Sequence, residues 1–184
     1  MSETLAKMTK CFGGYTVPEM LRELCLFWDK YPNYFSGSIE IEADNYGGVK
    51  EWFGNKEAGY SRVLAFAADD TGSLVGFWLY KDGMTPYSAP IVFLSSEGAG
   101  STVIADSLSD YLAILTANRD YFPDDGEFYE LEEEHREDNR RYRNWLKSKF
   151  GIDSTDNPEE LREKAISRRP DFEKWVESLD QERA

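Results

Sequence analysis

Apolar residues recur at three- and four-residue intervals through Met20, Leu21, Leu24, Phe27 and Trp28, the stripe that one helix face presents to a core. Thr16-Val-Pro-Glu19 ahead of it has the form of a capping box with proline in the first turn, and Pro32 follows. The spacing predicts a helix over about Val17 to Lys30. The pattern then changes to period two: Ile39, Ile41 and Ala43 alternate with Glu40 and Glu42, predicting a strand with an acidic outer face. Val49, Trp52 and Phe53 suit a short helix. Two apolar segments flank Asp69-Asp70-Thr71-Gly72, a turn composition in which Gly72 can take positive φ, and so predict a β-hairpin. Ile91-Val-Phe-Leu94 after Pro90 is an unbroken apolar run of strand length, as expected of a strand covered on both sides. Thr102-Val-Ile-Ala105 reads as a further strand. Ser107, with Asp110 three residues on, then caps a helix whose stripe is Leu108, Tyr111, Leu112 and Leu115.

Consecutive strands between helices, rather than strict alternation, make this an α+β pattern. Pro123-Asp-Asp-Gly126 is the best candidate boundary, because a strongly charged segment follows. Within that segment Tyr142, Trp145, Leu146 and Phe150 keep helical spacing, and Gly151 stands where a C-cap is wanted, so a helix with one docked face is expected. Asn157-Pro-Glu-Glu160 starts another, with proline at the first helical position and acids toward the positive end of the dipole. Pro170 opens a last one, with Phe172, Trp175, Val176 and Leu179 in its stripe. The organisation expected is one domain over 1–184, with a core of about 17–118 and a helical C-terminal extension of about 127–184 packed on it.

Composition changes the picture in one respect. Across 184 residues, 35 acidic side chains face 21 basic ones, a formal charge of −14. Polyanionic nucleic acid and anionic membrane surfaces are therefore poor partners, and a basic protein is the electrostatic complement. Cys11 and Cys25 form no CxxC pair, so neither a disulfide framework nor a zinc site is indicated. No signal-peptide core opens the chain and no run is long enough to span a bilayer, which with the two cysteines predicts cytoplasmic residence.

Candidate chemistry is sparse. His135, the single histidine, lies in the charged run EEEHRED, where a solvated helix face explains it, and one histidine excludes every paired-histidine metal motif. Ser96-Glu-Gly-Ala-Gly-Ser101 has glycines but neither the spacing nor the lysine of a phosphate loop, so a tight turn is expected. No calcium-loop pattern occurs, and no catalytic residue, metal ligand or cofactor is assigned. Carboxylates at turns and on the outer strand face, Glu40, Glu42, Asp44, Asp69, Asp70 and Asp82, are the candidate partner-binding residues. Tyr80 and Tyr87, near turns, are candidate interface anchors. The five tryptophans lie where stripes and strands predict burial.

The ordered set Val63-Leu-Ala-Phe-Ala-Ala68, the Asp-Gly hairpin, Ser73-Leu-Val-Gly-Phe-Trp-Leu79, Pro90-Ile-Val-Phe-Leu-Ser-Ser-Glu-Gly98 and Val103-Ile-Ala-Asp-Ser-Leu-Ser-Asp-Tyr-Leu112 resembles the SUKH superfamily, named partly for yeast cell-wall-synthesis regulators. Tyr31-Pro-Asn-Tyr-Phe-Ser-Gly-Ser38 and Arg169-Pro-Asp-Phe-Glu-Lys-Trp175 also suit it, whereas the charged stretch from Glu127 to Lys149 departs from it. The resemblance covers roughly Val17 to Asn118. It implies a mostly antiparallel sheet of about half a dozen strands flanked by helices. In bacteria it implies an immunity protein that binds and neutralises a cognate polymorphic or contact-dependent toxin, often a nuclease, without a cofactor or active site of its own. The other reading is a structural or regulatory interaction module using the C-terminal helices. An enzyme would have to work with carboxylates and tyrosines alone.

Overall fold

A computed structural model describes residues 2–42, 46–130 and 135–181. Its elements in order are α1 (Glu3–Cys11), α2 (Glu19–Lys30), α3 (Tyr46–Trp52), α4 (Glu57–Tyr60), β1 (Val63–Ala68), β2 (Leu74–Trp78), β3 (Ile91–Leu94) and β4 (Thr102–Ala105). There follow α5 (Leu108–Ile114) with a 3-10 turn at Leu115–Ala117, β5 (Arg119–Phe122), β6 (Glu127–Glu130), α6 (Arg136–Phe150), α7 (Pro158–Arg168) and α8 (Phe172–Gln181). The α+β class is as the patterning implies.

An antiparallel four-stranded sheet in the order β1-β2-β3-β4 forms the centre, and β5 and β6 make a separate two-stranded sheet. The half-dozen strands are thus divided, and the main sheet is smaller than the resemblance implies. Its inner strands have both faces covered, and the period of two sorts their side chains between two cores. Val75, Phe77, Ile91, Phe93 and Ile104 join α1, α2, α5 and α6 on one face, while Leu74, Trp78, Val92, Leu94 and Val103 join α3, α7 and α8 on the other. In β1 the register slips between Ala65 and Ala67, so one extra residue is accommodated and both Phe66 and Ala67 enter the first core. Gly76 lies opposite this bulge, where a Cβ would come within 2.9 Å of Leu64 O.

Several local expectations need correction. Helix α2 begins at Glu19 with Pro18 extended at its cap and no side-chain capping bond, so the Thr16–Glu19 box does not form. The proline disfavours helical geometry at Val17 and moves the start forward. The segment expected as a strand at 39–43 makes one isolated bridge, Glu40 to Ala68, at the outer edge of β1. Ile39 and Ile41 are nevertheless buried and Glu40 exposed, as the alternation requires, while Ala43 lies outside the described residues. Gly37, at φ +54°, turns the chain three residues before this bridge. Pro123–Gly126 is the β5–β6 hairpin turn, with Gly126 at φ +75°, and is no boundary. Helix α1, capped by Ser2 Oγ accepting from Leu5 N, was not foreseen.

The tail is integral to the packing. Ala165 of α7 and Phe172 of α8 are buried in the second core, with Trp175, Val176 and Leu179 packed against it. Helix α6 docks through Asn139, Tyr142 and Leu146 and ends at Gly151 in the left-handed conformation, as its spacing predicts. Among the described residues no helix is long and apolar enough to cross a membrane.

Candidate acidic site at one end of the sheet

The β1–β2 turn is held by its first residue. Asp69 Oδ1 accepts from Thr71 N at 3.0 Å, Thr71 Oγ1 at 2.7 Å and Ser73 N at 2.8 Å, and Gly72 takes φ +86°. This local carboxylate-to-backbone pattern is why aspartate favours such turns. A hydroxyl chain joins it to the neighbouring β3–β4 turn: Thr71 Oγ1 lies 2.9 Å from Ser73 Oγ, which accepts from Ser96 N at 3.2 Å. In that second turn Ser95 N donates to Ser101 Oγ at 2.9 Å, and Gly98 and Gly100 take positive φ. The glycine-serine segment is thus a tight turn, as its sequence suggests.

Asp120, on β5, reaches the same end of the sheet. Its carboxylate accepts from Ser38 N at 2.9 Å and Ser38 Oγ at 3.2 Å. Burial raises its pKa, Asp70 and Asp69 raise it further, and the Ser38 bonds only partly oppose them. The buried hydroxyl of Tyr111, which has no hydrogen-bond partner among the described residues, is likewise pushed up by burial and by Asp69 and Asp120. Tyr34 Oη donates to Glu40 Oε1 at 2.8 Å, and that bond is the main reason for the raised pKa of Tyr34, to which Asp70 adds. Asp69, Asp70, Glu97, Asp120 and Asp124 contribute to the lining of a cleft of about 170 Å³, and among the described residues no lysine, arginine or histidine lines it.

The eight residues expected from sequence therefore separate. Glu40, Asp69 and Asp70 lie together, with half-buried Glu42 two residues beyond Glu40. Asp44 falls outside the described residues. Asp82 and Tyr80 follow the far end of β2, where Asp82 pairs with Arg62 at 2.5 Å and Tyr80 packs on Trp78 at 4.8 Å between ring centroids. Tyr87 is 67% exposed in the loop between β2 and β3. A six-residue strand separates the two groups by about 20 Å. Asp120 was missed, and Asp124, one of a turn pair with Asp125, was not among the candidates, although the aromatics of Asp120-Tyr-Phe-Pro-Asp-Asp-Gly126 ahead of a Pro-Asp-Asp-Gly turn are a hairpin signal.

The cleft offers hydrogen-bond acceptors and negative charge, the requirements for holding a guanidinium or ammonium group. No group of three or more His, Cys, Asp or Glu side chains among the described residues is disposed to hold a metal ion. His135 precedes α6 and meets the ring of Tyr34 edge-on at 5.7 Å, apart from the cleft. No family model matches the chain, nor does any curated protein or solved structure.

Proposed function

We propose that this chain is a cytoplasmic binding protein of the SUKH type, an immunity protein that neutralises a basic cognate toxin by occupying its active site or nucleic-acid groove, and that it acts without chemistry of its own. The observation that carries this reading is the gathering of Glu40, Asp69, Asp70 and Asp120 at one sheet end, with no cation among the described residues lining the cleft. The resemblance of the ordered β-strand motifs supports the family reading, and two cysteines in no CxxC pair suit a reducing compartment. Like-charge clustering is unfavourable in the free protein and becomes favourable when a cationic surface arrives, which raises the association rate and makes it sensitive to salt.

The decisive test is co-expression with the toxin domain encoded by the neighbouring gene, followed by stopped-flow association at several salt concentrations. Asp70→Lys and Asp124→Lys, both at the acidic end, should slow association at low salt and weaken protection of cells. Asp82→Lys at the opposite end should change either little. Unchanged protection and an unchanged salt slope in the first two variants would exclude the acidic-end reading.

A further inference from the structure

Hairpin β5–β6 has one covered face and one that is open beyond Asp120, which the turn at Gly37 and Ser38 covers. Register pairs Tyr121 with Phe128 and Asp120 with Tyr129, so strand alternation puts Tyr121 and Phe128 on one side and Asp120, Phe122, Glu127 and Tyr129 on the other. The first side is core: Phe128 is buried, and Tyr121 packs on Phe93 at 5.1 Å. On the second side Phe122 and Tyr129 meet edge to face at 5.1 Å, yet remain 50% and 48% exposed. Tyr129 Oη is tied to Asp125 Oδ2 at 2.5 Å, which restrains its ring.

Large aromatics do not need to be outside in a protein that buries both faces of its sheet, and a paired, restrained and half-exposed couple has the form of an interface anchor. Its surroundings identify the occupant. Segment 119–130 carries Asp120, Asp124, Asp125, Glu127 and Glu130 against Arg119 alone. That arginine is already held by Glu159 at 2.7 Å and Glu130 at 3.6 Å. A second copy of this chain would bring a charge of −14 to the same place, and a nucleic acid would bring phosphates. An arginine-bearing protein surface meets both demands, since a guanidinium stacks on aromatic faces and pairs with carboxylates in the same plane.

We infer that the open face of the β5–β6 hairpin, centred on Phe122 and Tyr129, is the contact surface for a basic protein partner and receives arginine side chains between its rings and the flanking carboxylates. It deepens the binding role proposed above and rests on that reading for the partner's identity. Phe122 also lines the acidic cleft, so the hairpin extends that site outward into an interface of mixed aromatic and acidic character.

The test is an NMR titration of the isotope-labelled full chain with the blocked peptide Ac-Arg-Gly-Arg-NH2. Its citrulline counterpart serves as the uncharged isostere. Amide shifts should concentrate on Asp120–Tyr129 and the adjoining Asp69–Ser73 turn, and citrulline should produce none of them. Phe122→Ala/Tyr129→Ala should keep the wild-type spectrum elsewhere and bind the arginine peptide about fivefold more weakly. Shifts spread over all acidic surface, no shift at the hairpin, or equal binding by the double variant would each overturn the inference. Concentration-dependent shifts of the same residues without peptide would assign the face to self-association and overturn it too. Failure to neutralise the toxin despite an intact hairpin response would instead count against the immunity role alone.

Discussion

Replacing Gly37 with alanine tests how tightly the fold positions Asp120. Gly37 stands at φ +54°, and a Cβ there would lie 2.2 Å from Asp120 Oδ1 and 3.2 Å from Arg119 O. Left-handed backbone strain alone costs about 1–2 kcal/mol. The 2.2 Å approach is far inside van der Waals contact, so the carboxylate must swing away and give up its bonds from Ser38 N and Ser38 Oγ. Losing both costs about 2–3 kcal/mol at this half-exposed position. Distance gained from Asp69 and Asp70 offsets part of that, so the net expectation is about 2–4 kcal/mol, a large fraction of a domain's usual stability.

Gly13→Ala is the matched control. Its φ is +57°, but nothing lies within 4 Å of the added Cβ, so it should show only the backbone strain, about 1–2 kcal/mol. Urea unfolding followed by tryptophan fluorescence measures both, provided the slope is unchanged. In an Asp120→Ala background the 2.2 Å clash is gone and only the 3.2 Å approach to Arg119 O remains, so Gly37→Ala should then cost little more than Gly13→Ala. Equal losses for Gly37→Ala and Gly13→Ala in the otherwise wild-type chain, or additivity of Gly37→Ala with Asp120→Ala, would refute the steric link between the Ser36–Ser38 turn and the acidic cleft.

Asp120→Asn keeps an acceptor for Ser38 N while removing the charge, so it should preserve stability at neutral pH and weaken binding of the proposed basic partner. Because the folded pKa of Asp120 is raised, wild-type stability relative to this variant should increase as pH falls through that folded value toward the ordinary aspartate range, as urea titrations across pH will show. Asn139, buried on α6, donates through Nδ2 to Phe35 O at 2.7 Å and Leu115 O at 3.2 Å; Asn139→Ala leaves two buried carbonyls unpaired and should lose about 2–4 kcal/mol in the same assay. For Asp106, burial would raise the pKa, but bonds from Arg169 and Arg168 outweigh it and leave it lowered. Its stabilising contribution is present above the ordinary aspartate pKa and is lost as pH falls through the lower folded value. Asp106→Asn should therefore lower the stability of the α7–α8 packing at neutral pH, read by Trp78 and Trp175 fluorescence, and the difference from wild type should vanish in acid.

Legibility in the sequence followed the range of the interactions. The β1–β2 turn, the Ser107 cap, the Gly151 stop and the stripes of α2, α5, α6 and α8 depend on residues a few positions apart, and each was readable. Segment 39–43 has a strand's alternation, but its ladder needs a partner edge, and β1 offers it only Ala68. Leu5, Met8 and Phe12 carried a helical spacing for α1 that nine residues make easy to overlook. The change to charged composition after Gly126 obscured the β5–β6 pairing. Asp120 was least accessible of all, because Ser38 and Asp69, which define its environment, are far away in the chain.

Two half-buried carboxylates show how the fold divides its charge. Asp106 enters the gap between β4 and the tail, where Arg168 and Arg169 approach it, and its charge fastens α7 and the start of α8 to the sheet. Asp120, also half-buried, lies at the other group of turns, but hydrogen bonds from Ser38 are its partners and other aspartates its neighbours. Neutralising the first removes a staple, whereas neutralising the second relieves repulsion. A carboxylate placed among like charges, where the free protein gains little from its charge, is better accounted for by the proposed cationic partner than by folding. On the proposed binding role the ion-paired acid serves the architecture and Asp120 the contact with the partner, so the Asp106→Asn and Asp120→Asn variants should move stability and affinity in opposite proportion.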